Sequence, residues 1–80
     1  MTQVERIDRY IKDFGSITRA EAMIDLGIAN FGARYSEMKD YYPLKSRWEK
    51  GKNRYGEPVS WKRYYYDEEA IQERDSVRNG

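Results

Sequence analysis

Eighty residues, 39% apolar and 36% charged with a net charge of +1, make one small domain with a thin core, because a chain this short buries only about 60–65% of the surface it exposes when unfolded. No apolar run approaches the ~18 residues of a membrane-spanning helix. With no Cys and no His, disulfides, Cys/His zinc sites and Ser-His or Cys-His catalytic pairs are excluded, and the opening Met1-Thr2-Gln3-Val4-Glu5-Arg6 lacks a signal-peptide core, so the expectation is a cytoplasmic protein without metal, cofactor or enzymatic activity.

The first element is a helix over about 2–14. Val4, Ile7, Tyr10, Ile11 and Phe14 form one apolar stripe at i, i+3, i+4, i+7 spacing. Thr2 with Glu5 is a capping box, and Gly15 is a stop. Ser16-Ile17 is long enough only for a bridge or a stub of strand. Thr18 with Glu21 is a second capping box, opening a short helix to about Asp25 with Ala22, Met23 and Leu26 inward. Gly27 breaks it, and Ile28 reads as a buried turn residue.

A third helix follows over about 30–40, with Phe31, Tyr35 and Met38 inward and either Ala29 or Asn30 as its N-cap. Tyr42-Pro43 ends the helical half. Segments 44–50 and 57–66 have strand grammar and flank Asn53-Arg54-Tyr55-Gly56, a type I turn sequence. Two registers are open: a four-residue turn sets Trp48 opposite Trp61, whereas a one-residue bulge pairs Leu44 with Tyr66 and Ser46 with Tyr64. The expected core is Ile7, Ile11, Leu26, Ile28, Phe31, Tyr35, Met38, Leu44 and Tyr64. In the run from Trp61 to Tyr66, alternation assigns the aromatics to the core and sheet cover rather than to base stacking. Residues 67–80 form an acidic tail, in which Asp67, Glu68, Glu69, Glu73 and Asp75 read as solvated charges.

Helix, strand stub, helix, Gly turn, helix, hairpin is the order of an α+β winged helix-turn-helix: three helices, then a two-stranded wing, with Ser16-Ile17 available as a short third strand. The domain spans 1–66. Charge divides accordingly. Residues 1–66 hold 13 Lys+Arg against 9 Asp+Glu, residues 67–80 hold 2 against 5, and residues 45–63 hold seven basic residues against Glu49 and Glu57.

The stretch GSITRAEAMIDLGIANFGARYSEMKDYYPLKSRW followed by KNRYGEPVSWKRYYY resembles a family of small phage and mobile-element helix-turn-helix proteins. These carry a pattern similar to G-S-I-T-x-x-E-A, L-G-I, A-R-x-S-E-L and a K-N-x-x-G hairpin closed by Tyr. The similarity covers roughly residues 4–66. Met38 stands where the family tends to have Leu, and Ala29 where it often has Ser or Thr. The resemblance implies a winged helix that binds duplex DNA as a regulator or recombination accessory factor, alone or within a larger nucleoprotein assembly.

With Phe31, Tyr35 and Met38 inward, Asn30, Ala33 and Glu37 point outward and Arg34 lies at the flank. The expected function is sequence-specific duplex binding, with the helix over about 30–40 as recognition helix in the major groove and the basic segment 45–63 as wing: Asn suits adenine and Arg suits guanine, while Arg34 has an equal alternative in an ion pair with Glu37. Glu37 either accepts from cytosine or orients Arg34, and Ala33 permits close approach. In the wing, Lys50, Lys52, Asn53, Arg54 and Tyr55 are candidates for phosphate or minor-groove contact. The alternative function is a protein-interaction module on the same scaffold, using the aromatic sheet face.

Overall fold

The computed structural model of the chain describes residues 1–69; the greater part of the expected acidic tail, 70–80, lies outside them. The described residues form three helices and a three-stranded antiparallel sheet: α1 (Gln3–Phe14), β1 (Ile17–Thr18), α2 (Arg19–Leu26), α3 (Phe31–Met38), β2 (Leu44–Lys52) and β3 (Pro58–Tyr66), with strand order β1-β3-β2. Among the described residues no helix is long and apolar enough to cross a membrane.

Both capping boxes form. Thr2 Oγ1 accepts from the Glu5 amide and the Glu5 carboxylate accepts from the Thr2 amide. Thr18 does the same with Glu21, so the last residue of β1 is also the N-cap of α2 and no linker separates strand from helix. Gly27 lies at φ 70°, left-handed geometry that a Cβ disfavours. Its amide donates to the Met23 carbonyl and the Ile28 amide to that of Ala22, 3.1 and 3.0 Å, which closes α2 and drives Ile28 into the core. Asn30, not Ala29, caps α3, its Oδ1 accepting from the Ala33 amide at 3.2 Å.

Ile7, Ile11, Ile17, Ala22, Ile28, Phe31 and Met38 are buried, with Leu26, Tyr35, Leu44, Tyr64 and Tyr66 packed half-buried against them. Two expected inward residues are not inside. Phe14 is 72% exposed, because the last turn of α1 runs past the core, and its ring rests on Tyr10 instead at 4.7 Å. Met23 is 53% exposed: with Ala22 and Leu26 facing in, it is turned about 100° away from Ala22. Ile17, fully buried, is the core residue that a two-residue strand conceals from periodicity.

The hairpin takes the bulged register, Leu44↔Tyr66 and Ser46↔Tyr64, which sets Trp48 opposite Lys62 and Glu49 opposite Trp61. The Gly56 amide donates to the Asn53 carbonyl and the Asn53 amide to that of Glu57, both at 3.0 Å. Gly56 at φ 79° supplies the left-handed residue that a type I turn needs to match strand twist.

Opposed residues share a sheet face. One face therefore carries Leu44, Ser46, Trp48, Lys50 and Lys52 with Tyr66, Tyr64, Lys62, Ser60 and Pro58. At its root Tyr64 meets both Phe31 and Tyr35 of α3, ring centroids 5.0 Å apart. β1 pairs only with Arg63 and Tyr64, so the outer five pairs of the hairpin project about 15 Å beyond the core.

Truncation separates buried from exposed aliphatics. Ile28→Ala removes a fully buried side chain and should cost about 2–5 kcal/mol. Ile24→Ala, at a position 80% exposed, should stay within about 0.5 kcal/mol of the parent. Urea denaturation of the two variants measures both.

Candidate nucleic-acid interface

A hairpin this exposed needs internal bracing, and Arg63 supplies its base. The guanidinium Nε donates to Glu49 Oε1 at 2.8 Å, and Nη1 donates to Ser16 Oγ and Glu21 Oε1, both at 3.1 Å. One side chain thereby joins β2, the residue before β1, and the capping glutamate of α2. Arg47 stands directly opposite Arg63, a like-charge pair that destabilises unless neutralised. Glu49, 3.8 Å from Arg47, provides the countercharge, and the Arg47 guanidinium lies 5.4 Å over the Tyr65 ring.

Further out, Trp61 Nε1 donates to the same Glu49 oxygen at 2.8 Å, and its ring lies across Gly51. A Cβ on Gly51 would stand 2.9 Å from the indole, so the glycine is there for close approach. Hydrogen bonds from Arg63 and Trp61 hold the Glu49 carboxyl below the usual carboxylate range, and Glu49 in turn raises the pKa of Arg63. Elsewhere, the Tyr66 hydroxyl donates to Asp8 at 2.6 Å and burial raises its pKa; donation to Asp25 pushes that of Tyr10 up to about 12.

The face that continues from Tyr64 outward carries Lys62, Lys50 and Lys52 and no carboxylate. Among the described residues neither these lysines nor Arg54 has an acidic partner within ion-pair distance. Tyr55 at the tip is 83% exposed. Asn53 is different: its Oδ1 accepts from the Tyr55 and Glu57 amides at 3.0 Å and its Nδ2 donates to Glu57. It builds the turn, and its side chain has little left for a ligand.

On α3 the expected residues also divide. Asn30 and Glu37 are exposed, and Ala33 and Arg34 half-buried. Asn30 Oδ1 is committed to the cap, leaving its NH2 group outward. Arg34 is tied inward: Nη1 donates to Gln3 at 3.0 Å and Nη2 pairs with Glu37 at 3.2 Å, while Nε is buried without a partner. Of the two readings of Arg34, the ion pair is the one formed.

Three residues beyond the expected set join this surface. Arg19, exposed at the start of α2, brings its guanidinium beside the first turn of α3, 3.7 Å from where a Gly32 Cβ would be. Trp48, 64% exposed, and Lys62, 5.2 Å over its ring, complete the face. Basic type alone signalled Arg19, but the Trp48–Lys62 pair depends on the bulged register. Among the described residues no group of three acidic side chains is placed to hold a metal ion. No protein-family model, curated protein or solved structure matches this chain.

Gly51→Ala should displace the Trp61 ring and break its bond to Glu49 while sparing the helical core; the check is loss of the Trp61 indole N–H resonance position with the Ile7 and Ile28 methyl shifts unchanged. Acid should act on the same bond. Because the folded-state pKa of Glu49 is lowered, its bracing is fully present above the ordinary carboxylate range, about 4.3, and is lost as pH falls through the lowered value. The Trp61 indole resonance should titrate there, and Glu49→Gln should abolish that titration.

Proposed function

We propose that this chain is a winged helix that binds duplex DNA, with α3 toward the major groove and the β2–β3 hairpin as a wing along the phosphate backbone. The single observation that carries the reading is the acid-free face bearing Lys50, Lys52 and Lys62, which begins at the α3 packing residue Tyr64 and runs outward from it. Helix and cations therefore lie on one side of the molecule. A net charge of +1 hides this, because phosphate contact depends on the local distribution and not on the total. The resemblance to phage and mobile-element proteins agrees with the reading and suggests a regulator or recombination accessory factor.

The division of labour follows from which side chains are committed. The wing lysines and Arg54 are free to meet phosphates. On α3, the Asn30 NH2 group and the small residue Ala33 are available to base edges, whereas Arg34 reaches a base only by leaving Gln3 and Glu37. Binding should accordingly be dominated by backbone contacts, with modest discrimination among sequences. A second reading, a protein-interaction module, is favoured by the exposure of Trp48 and Trp61, 64% and 38%.

Fluorescence anisotropy with labelled duplex over a salt series tests the assignment. Lys50→Ala, Lys52→Ala and Arg54→Ala should each weaken binding to every sequence and flatten the slope of log K against log salt by about 0.9. Asn30→Ser keeps a capping oxygen while removing the amide; it should cost about 1–3 kcal/mol on the preferred site and less on random DNA. Arg34→Ala should change affinity little. If duplex leaves the amide resonances of residues 30–37 and 50–55 unperturbed, the duplex-binding reading fails and the interaction module is favoured.

A further inference from the structure

We infer that the cleft between the start of α2 and the side of the hairpin receives an unpaired nucleobase stacked on Trp48. This rests on the duplex-binding reading and extends it: the preferred target is a duplex with a single-stranded end or gap.

The cleft has a volume of about 630 Å³ and is lined by Arg19, Ala20, Trp48, Ser60, Lys62 and neighbours, none of them acidic. That volume is in the about 300–1,000 Å³ range of small-ligand sites. Trp48 is not a core residue. It is 64% exposed, and the bracing of the hairpin uses the other indole, Trp61, which is held by Glu49 and Gly51. An exposed indole flanked by cations is the arrangement that stacks bases irrespective of sequence. Lys62 over the ring and Arg19 across the cleft supply the positive charge that the phosphates on either side of such a base require.

The sheet edge supplies a second, independent observation. β1 covers β3 only at Tyr64 and Arg63. In an antiparallel ladder main-chain groups alternate sides, so Ser60 and Lys62, which share the phase of Tyr64, direct their N–H and C=O groups into the uncovered side beside Trp48. Those are donors and acceptors for a base edge. Addition of a peptide strand there is disfavoured by Lys62 and Pro58 on the edge, the side chains that blunt strand pairing. A base pair inside a duplex presents only its edges to the grooves; an unpaired or terminal base is free to enter the cleft and offer a face to the indole.

The experiment compares a blunt duplex with the same duplex carrying a three-nucleotide single-stranded end, by anisotropy on the full chain. The parent protein should bind the tailed duplex about tenfold tighter, the scale of one base–aromatic stack. Trp48→Ala should erase that preference, so that the variant binds the tailed and the blunt duplex equally. Trp48→Phe should restore part of it, and Lys50→Ala should weaken both duplexes equally. Equal binding of blunt and tailed duplex by the parent, with Lys50→Ala still weakening both, overturns the inference and leaves duplex binding standing. A preference that survives Trp48→Ala overturns the assignment to Trp48. No binding of either duplex overturns inference and function together.

Discussion

The arrangement of hairpin and helices depends on one guanidinium. Arg63 is at the point of β3 where the sheet stops being core and becomes projection, and its side chain is 21% exposed. Left alone, a charge so far withdrawn from water, facing Arg47 across the strand, would oppose folding. Glu49 and Glu21 reverse that. They come from opposite directions, β2 on one side and the first turn of α2 on the other, so satisfying Arg63 orients the hairpin against the helical unit. Glu21 is already held by the Thr18 cap, and Glu49 by Trp61. Each carboxylate thus arrives at Arg63 pre-positioned, and less side-chain entropy is lost in forming the network than two free glutamates would lose.

Around that junction the apolar core does little more than close the helices. Ile7, Ile11, Ile17, Ile28 and Met38 fill it, and the aromatic layer of Phe31, Tyr35, Tyr64, Tyr42 and Tyr66 seals it against the sheet root. Among the described residues no core residue reaches the strands beyond Tyr64. Their order there comes from contacts along the hairpin itself, chiefly those of Trp61 with Gly51 and Glu49. This explains the aromatic content of so polar a chain. The tyrosines at the root are packing residues, with the Tyr66 hydroxyl bonded to Asp8, and the tryptophans belong to the projection.

Local chemistry was readable in the sequence because it is local. The Thr-x-x-Glu boxes, the Gly27 turn, the i, i+4, i+7 stripe of α3 and the Asn-x-x-Gly hairpin each involve residues within a few positions, and each formed as the residue types predict. What escaped is long-range. Gln3 holds Arg34 from 31 positions away and Ser16 holds Arg63 from 47; nothing in the periodicity of either segment encodes the pairing. Ile17 was hidden because a two-residue strand has no period, and Met23 and Phe14 were overcounted because a stripe says which residues share a face and not where the neighbour ends. The candidate surface was legible in the same proportion. The exposed Lys50, Lys52, Arg54 and Tyr55 follow from the turn, whereas Asn53 and Arg34 are engaged in bonds within the fold. Trp48, Lys62 and Arg19 needed the register and the α2–α3 contact.

The committed side chains of α3 bear on how this chain would distinguish one DNA from another. A helix whose only arginine is anchored to α1 and whose cap residue has half its amide occupied offers a groove few free hydrogen-bonding groups. Its small residues Ala33 and Ser36 instead let the backbone come close. Discrimination under the proposed reading then rests on shape: the width of the groove that admits α3, and the path of the phosphates under Lys50 and Lys52. Arg63 joins the root of the hairpin to the helical unit through Glu49 and Glu21, so on that reading the hairpin would meet the path at a set distance from the helix. A duplex that bends toward the wing brings its phosphates to the lysines, and one that resists does not. Under the proposed reading such selectivity would respond to duplex structure as well as to sequence, which accords with the tailed duplex as the preferred target.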